Sequence, residues 1–387
     1  MNILHIGQYY LINYSYQENY LPKAMRQGGK NKVLYIASKK FPDFFKEKIV
    51  KSAYFDDGIY VIHVKMNFGR LVTLVFGLLK IIRKFKPDLI FLHGYAFIKC
   101  FYLFPLAKFY HIRICMDIHE DYNNSGITRN DKTIKGKIRI FLYQELNLFY
   151  SKLFSKFIFS FYYVAPSIKP FCLYYLRLPP QKIKPLYLGF DYSRININER
   201  GKIRKEIEAE YNIQSNRIVV ITAGKFDRGK NLPLLLECAK LLKDDNRFIF
   251  LIVGKIEDHV KRDVENLLQL PNVIYCGWKS SDILFRYLLA ADIAVYPGTQ
   301  SVLWQQTVCL GTPAIFRYWP GVEYLGKENN EFIYKYDPGE IRDKIIKTTF
   351  SYEQLRYKRE YALKYGQNNF DYNNQAKLVI CDFINSK

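Results

Sequence analysis

Short apolar runs separated by polar, helix-patterned stretches recur along the whole of this 387-residue chain. In the first half, residues 2–6, 32–37, 60–64, 88–93 and 113–118 read as strands, and 158–165 and 183–188 as the last strands of the same sheet. Helical pattern fills the gaps at 20–27, 71–86, 96–110 and 134–157. Runs this apolar suit strands covered on both faces, and their alternation with helices predicts a doubly wound parallel sheet. Its ligand site would lie at the carboxyl ends of the strands.

Residues 191–216 are polar and charged and read as a linker. A second series follows, with strands at 218–223, 248–254, 273–277, 293–296 and 314–316 and helices at 232–242, 260–270, 283–290 and 302–310. The segment 352–385 is helical in pattern with a polar break near 366–374. The fold class is therefore α/β, with two Rossmann-like parallel-sheet domains, 1–195 and 205–365, and a C-terminal helix in 366–387 packing toward the first domain. No repeat at a 20–50-residue period stands out.

Charge changes this picture. Residues 1–200 hold 31 Lys and Arg against 13 Asp and Glu, a balance of +18 within the +22 of the chain. A half this basic calls for an anionic partner or surface. Nucleic acid is one candidate, but no RNP, KH, zinc or helix-turn-helix signature is present, so the expectation is no nucleic-acid partner. Lys80, Arg83, Lys84 and Lys86 crowd one end of 71–86. In 132–156, Lys132, Lys135, Lys137, Arg139, Lys152 and Lys156 mix with Ile138, Phe141, Leu142, Leu148, Phe149 and Phe154. Core-facing helices with solvated outer faces would read the same way, yet the balance of the whole half favours an anionic membrane surface. The longest uncharged apolar runs, 71–79 and 157–168, are too short to span a bilayer. Seven scattered cysteines with no CxxC spacing, and an N-terminus that reads as a strand rather than a signal peptide, point to a reducing compartment. The expected location is cytoplasmic, on the inner face of the cell membrane.

Candidate chemistry concentrates after the strand 218–223, where Ala223-Gly224-Lys225-Phe226-Asp227-Arg228-Gly229-Lys230 leads into the 232–242 helix. Cations beside a helix start, at the carboxyl edge of a parallel sheet, suit a diphosphate. A solvated basic turn is the other reading of these residues alone. Downstream, Phe250-Leu251-Ile252-Val253-Gly254, Asn272-Val273-Ile274-Tyr275-Cys276-Gly277-Trp278, Ala291-Asp292-Ile293-Ala294-Val295-Tyr296-Pro297 and Leu310-Gly311-Thr312-Pro313-Ala314-Ile315 follow in order. With the 224–230 segment, these pieces resemble the C-terminal domain of a GT-B glycosyltransferase, more narrowly the retaining, nucleotide-sugar-dependent glycosyltransferase family 4.

The resemblance implies a donor site in the second domain, in a cleft between the two. Lys225 and Lys230 would hold the diphosphate, and Gly224, Arg228, Gly254, Trp278, Gln300, Ser301, Gln305 and Gln306 would line the donor pocket. The family's paired glutamates are missing. Gln306 stands where the second belongs and accepts only through a neutral amide; the first has no clear counterpart, with Gly298, Thr299 and Gln300 all candidates. Residues 301–306 also fit a helix start with a core tryptophan. In the first domain, Asp117-Ile118-His119-Glu120-Asp121 corresponds to the family's His-Asp pair, which implies that His119 reaches the donor sugar. Strand alternation puts Asp117, His119 and Asp121 on one face, an arrangement that would also suit a metal, although the resemblance implies that none is needed. The polar loop Asn123-Asn124-Ser125-Gly126 follows. Ser15, Tyr16, Gln17, Glu18 and Asn19 fall where acceptor contacts occur in the family, or cap the following helix. Leu188-Gly189-Phe190-Asp191 marks the domain junction.

The resemblance thus implies a glycosyltransferase using a UDP-sugar, with a GDP-sugar as the alternative, and a saccharide or lipid-linked saccharide acceptor. No further cofactor is implied. An inactive scaffold with the same fold is the competing reading, prompted by the missing glutamates.

Overall fold

The structure, a computed structural model, describes residues 1–12, 16–40, 52–69, 71–120 and 133–386, apart from the side chains at 135, 136, 139 and 143. It divides into two compact units, Met1–Leu188 with Tyr372–Lys387, and Gly189–Asp371.

The first unit is built on strands β1 (Asn2–Ile6), β2 (Lys32–Ser38), β3 (Ala53–Asp56) and β4 (Ile59–Val64), a hairpin of β5 (Met66–Phe68) and β6 (Thr73–Val75), then β7 (Leu89–His93), β8 (Arg113–Ile118), β9 (Ile158–Tyr163) and β10 (Ile183–Pro185). Its main sheet runs β10-β9-β8-β7-β1-β2-β4-β3. All pairings are parallel except β3 on β4. The order reverses between β1 and β7, and a ligand crevice is expected at the carboxyl ends flanking such a reversal. The helices are α1 (Gln17–Met25), α2 (Leu78–Phe85), α3 (Leu103–Phe109), α4 (Ile134–Phe154) and the single turn α5 (Ile168–Pro170).

Residues 71–86 do not form the single helix that their pattern predicts. Thr73–Val75 pairs with Met66–Phe68, and α2 starts only after Gly77, whose φ of +77° makes the break. The stretch 96–110 is likewise divided, into a 3-10 segment Tyr95–Lys99 and α3.

The second unit opens with α6 (Arg200–Glu210), within the stretch that reads as a linker. Its Ile203 and Ile207 are buried, and burial of that apolar stripe is what makes a polar segment helical here. Then come β11 (Ile218–Ala223), α7 (Leu232–Leu241), β12 (Phe248–Val253), α8 (Asp258–Val264), β13 (Val273–Gly277), α9 (Ser281–Ala290), β14 (Ile293–Tyr296), α10 (Leu303–Cys309), β15 (Ala314–Arg317), β16 (Glu331–Ile333), α11 (Pro338–Thr348) and α12 (Tyr352–Phe370). The sheet is parallel throughout, in the order β13-β12-β11-β14-β15-β16, and reverses between β11 and β14. The last helix, α13 (Tyr372–Asn385), belongs to the first unit, where Tyr162 and Lys184 bond Asp382 at 2.8 and 2.6 Å. Each unit is an α/β fold of the Rossmann type.

Candidate functional site

In the second unit, the sequence-predicted donor residues other than Trp278 lie on the strands and loops around the reversal between β11 and β14. Gly224 and Gly254 end neighbouring strands with φ of +143° and +144°. Their backbones nearly touch: a Cβ on Gly254 would lie 1.7 Å from the Gly224 carbonyl oxygen. A Cβ on Gly224 would lie 3.7 Å from Leu303, which sets the start of α10 beside the same turn. Only glycine permits this approach with this backbone.

The two loops of the reversal are joined. Thr299 donates its N–H to the Gly229 carbonyl at 2.8 Å, and a Cβ on Gly298 would lie 2.2 Å from that same oxygen. Lys230 spans them, its Nζ donating to the carbonyls of Thr299 at 2.6 Å and Gln300 at 3.2 Å. Burial lowers the Lys230 pKa, and Asp227 opposes that shift in part. Two of its three ammonium protons are thereby engaged. Lys225 behaves differently: 70% exposed, it pairs with Glu257 at 3.4 Å, as does Lys255. The two lysines that the sequence assigns to one task therefore sit in different surroundings.

Gln300 and Gln305 converge on Tyr324, each donating Nε2 to its hydroxyl, Gln305 at 2.6 Å. Nothing in the sequence analysis singled out Tyr324; its signal is the Pro320-Gly321 turn that throws a 3-10 segment, Val322–Leu325, back from β15. Gln305 and Gln306 are buried, Ser301 is half-buried at the entry to α10, and Arg228 is exposed. Trp304 is buried completely, as a core residue. Trp278, beyond β13, is 72% exposed.

Asp292 of the 291–297 motif lies at the opposite, amino-terminal edge of the sheet. Its carboxylate accepts from the Val219 N–H at 2.8 Å, from Arg204 at 2.9 Å and from Arg359. It ties α6 and α12 to β11, which is structural work.

In the first unit, the reversal between β1 and β7 carries a second polar cluster. Asp117, at the end of β8, is fully buried. One oxygen accepts from His93 Nδ1 at 2.8 Å; the other accepts from the Gly94 N–H at 2.7 Å and lies 3.3 Å from His119 Nε2. His93 Nε2 in turn lies 3.0 Å from His5 Nδ1. Burial alone would lower the His119 pKa, but the Asp117 charge and hydrogen bond, with Glu18 and Glu120 beyond, outweigh it and raise it from 6.5 to about 9. Burial acts against the Asp117 charge as well, yet His119 and His93 hold its carboxyl well below the usual carboxylate range. Asp117 and His119 thus meet as strand alternation predicts, while Asp121, the 123–126 loop, Ser15 and Lys132 lie outside the described residues.

Tyr16 is exposed, Glu18 half-buried and Gln17 buried, with neither amide atom of Gln17 hydrogen-bonded among the described residues. Sequence reasoning missed His5 and His93. A histidine inside or ending an apolar strand needs a buried partner, which is a usable signal. Among the described residues, no group of three or more His, Cys, Asp or Glu is placed to hold a metal ion. No helix among them is long and apolar enough to cross a membrane.

Comparison with known proteins adds to this geometry. Residues 203–365 match the family described as Glycosyl transferases group 1. An uncharacterized 41.2 kDa protein in the cps region of Klebsiella pneumoniae is 27% identical over 107 residues, covering 27% of this chain and 28% of that protein. Among solved structures, a glycosyltransferase from Rickettsia africae ESF-5 superposes with a TM-score of 0.73 at 15% identity, covering 99% of this chain and 98% of its own. Anabaena Alr3699/HepE in complex with UDP gives 0.68 at 13% identity, covering all of both chains. WaaG, a glycosyltransferase involved in lipopolysaccharide biosynthesis, gives 0.62 at 11% identity, covering 98% of this chain and 99% of its own. At these identities the structural likeness is one of fold, the GT-B fold of glycosyltransferases; with the family match across most of the second unit, it supports a glycosyltransferase.

Proposed function

We propose that this chain moves a sugar from a nucleotide-sugar donor to a saccharide or lipid-linked saccharide acceptor, as a retaining enzyme resembling glycosyltransferase family 4. The observation that carries the reading is the joined loop pair at the β11–β14 reversal, with Gly224 against Gly254 and Lys230 across the loops, inside the segment that matches the glycosyltransferase family. Transfer makes a bond from an acceptor oxygen to the anomeric carbon and breaks the bond to the diphosphate. The charge left on the diphosphate is what Lys230 and Lys225 stabilise, and no general base is assigned.

A phosphate oxygen competes with the carbonyls of Thr299 and Gln300 for Lys230. Lys225, exposed and paired with Glu257, swings at little cost, since exposed ion pairs contribute about 0–1 kcal/mol. The donor is a UDP-sugar by preference: UDP and UDP-glucose are the ligands named with Anabaena Alr3699/HepE. The first unit, with Tyr16, Gln17, Glu18 and His119, takes the acceptor and the transferred sugar. The product belongs to surface polysaccharide or glycoconjugate synthesis, made on the inner face of the cell membrane.

The test is turnover of UDP- and GDP-sugars by the purified chain, with donor binding measured by calorimetry. Lys230→Ala should weaken donor binding at least ~30-fold and Lys225→Ala ~5-fold, about 2 and 1 kcal/mol for charge-assisted contacts of differing burial. Wild-type affinity in both variants would remove the donor-site assignment. An inactive scaffold would bind nucleotide without turning over any sugar donor.

A further inference from the structure

We propose that Asp117, held in turn by His93 and His5, is a positioning residue that fixes His119 as a cation at the carboxyl edge of the first unit's sheet; this rests on the reading of His119 as a sugar-facing group.

The strands dictate the arrangement. Register pairs His5 with Tyr35 and Phe91, and His93 with Asp117, so period-two alternation sets all five side chains on one face of the sheet. Parallel rings lock the histidines: His5 stacks on Tyr35 at 6.1 Å, Phe91 at 5.3 Å and His93 at 5.2 Å, and Tyr35 stacks on His93 at 5.6 Å. Tyr35 reaches the end of β1 because Gly7 leaves room; a Cβ there would lie 1.9 Å from its hydroxyl. The hydrogens of this enclosed array follow outward from Asp117. Asp117 can only accept, so His93 carries its proton on Nδ1. The remaining nitrogen, Nε2, shares a hydrogen bond with His5 Nδ1 at 3.0 Å. His5 Nε2 is left buried without a partner among the described residues, which suits a bare, neutral nitrogen. In agreement, burial first and His93 second hold the His5 pKa well below its ordinary value, against the pull of Asp117.

Direction therefore runs toward His119. His93 and the Gly94 N–H spend their donors on Asp117, which stays ionised, and His119 Nε2 is the remaining group at 3.3 Å. Among the described residues, the titratable and charged groups facing His119 are Asp117 on β8, Glu120 just beyond it and Glu18 on α1, all of which favour its cation. Lys99, whose own pKa burial lowers, faces Glu120 from the 3-10 segment after β7. A standing imidazolium on a rigid strand end needs no reorganisation when charge or a sugar oxygen arrives, whereas the other anchors of that edge are loops.

The experiment is an imidazole NMR titration of the full chain, with His119 assigned through His119→Gln, alongside transfer rates against pH. Wild type should titrate near pH 9 at His119, and transfer should fall on the alkaline side through the same midpoint. Asp117→Asn should lower that midpoint by ~1.5 pH units or more, since a close opposite charge shifts a pKa by roughly 1–3, and should carry the alkaline limb of the rate with it. His93→Phe keeps the ring stack but removes the donor; it should lower kcat ~10-fold with the donor KM unchanged, and His93→Gln, which still donates, should recover most of that loss.

A wild-type midpoint at or below 6.5, an Asp117→Asn midpoint within half a pH unit of wild type, or equal kcat for His93→Phe and His93→Gln would each overturn the proposal. The first of these needs no variant to fold. If the wild type turns over no nucleotide sugar, the glycosyltransferase reading fails on its own, and the NMR titration still decides whether Asp117 sets the charge of His119.

Discussion

A single missing Cβ holds the second unit's loops together. Gly254 needs two things at once, a φ of +144° and a neighbour's carbonyl oxygen where its Cβ would be. Backbone strain of this kind is worth about 1–3 kcal/mol, and the overlap adds a displacement of β11 relative to β12. Gly277, at the end of β13, separates the two effects: its φ is +66°, but among the described residues nothing lies within 4 Å of a Cβ built on it. Gly254→Ala should therefore destabilise the chain by about 3 kcal/mol or more in urea unfolding, and Gly277→Ala by only about 1. Equal losses would mean that the loops can part without cost, and the close approach of Gly224 and Gly254 would then not be what builds this corner.

At the scale of elements, α4 departs most from the usual packing of a helix on a sheet. Tyr150 and Phe154 bury one side of it. Along the rest, Ile134, Ile138, Phe141, Leu142 and Phe149 are each more than half exposed, with Lys137 and Lys152 exposed among them. Lys135 and Arg139 lie on the same helix, with side chains outside the described set. Elsewhere in the first unit, α2 turns Lys80, Arg83 and Lys84 to solvent. An exposed apolar row with a cationic rim favours an anionic lipid interface, at roughly 1 kcal/mol for each surface cation. The chain should co-sediment with phosphatidylserine-containing vesicles at low salt, release at high salt, and lose most of that binding in the double variant Phe141→Ser, Leu142→Ser. Binding that ignores salt, or survives both substitutions, would take the membrane out of the account. These helices also show where pattern misleads. Thr73–Val75 and α2 form one apolar stretch in sequence, and only the left-handed Gly77 divides it. In α6, a polar composition concealed two isoleucines that are sufficient to dock a helix.

For the whole molecule, what was legible follows from what is local. The buried strands β8, β11, β12 and β14 stand where their apolar runs stand, because burial on both faces leaves an unambiguous run. Edge pieces such as β3, β5 and β16 went unseen, being three or four residues of mixed polarity. At the candidate sites, Gly224 and Lys230 could be read because strand, glycine and cation are adjacent in the chain. Tyr324 and the contacts of His5 and His93 with Asp117 could not, since each is assembled from elements far apart in sequence. The same contrast of local and global supplies a test of which unit holds the nucleotide. A ligand at a hundred times its Kd stabilises what it binds by about 2.7 kcal/mol, so amides that exchange only through unfolding of the binding unit slow ~100-fold. With saturating UDP, hydrogen exchange should slow in β11, β12 and β14 and most sharply at 224–231 and 298–306, while β1, β7 and β8 keep their rates. The sheet centre responds because it must open with the unit, and the loops respond further because they touch the ligand. Protection centred instead on 93–120 would move the nucleotide to the first unit, and Lys230 would then be a structural clamp between two loops with no part in binding phosphate.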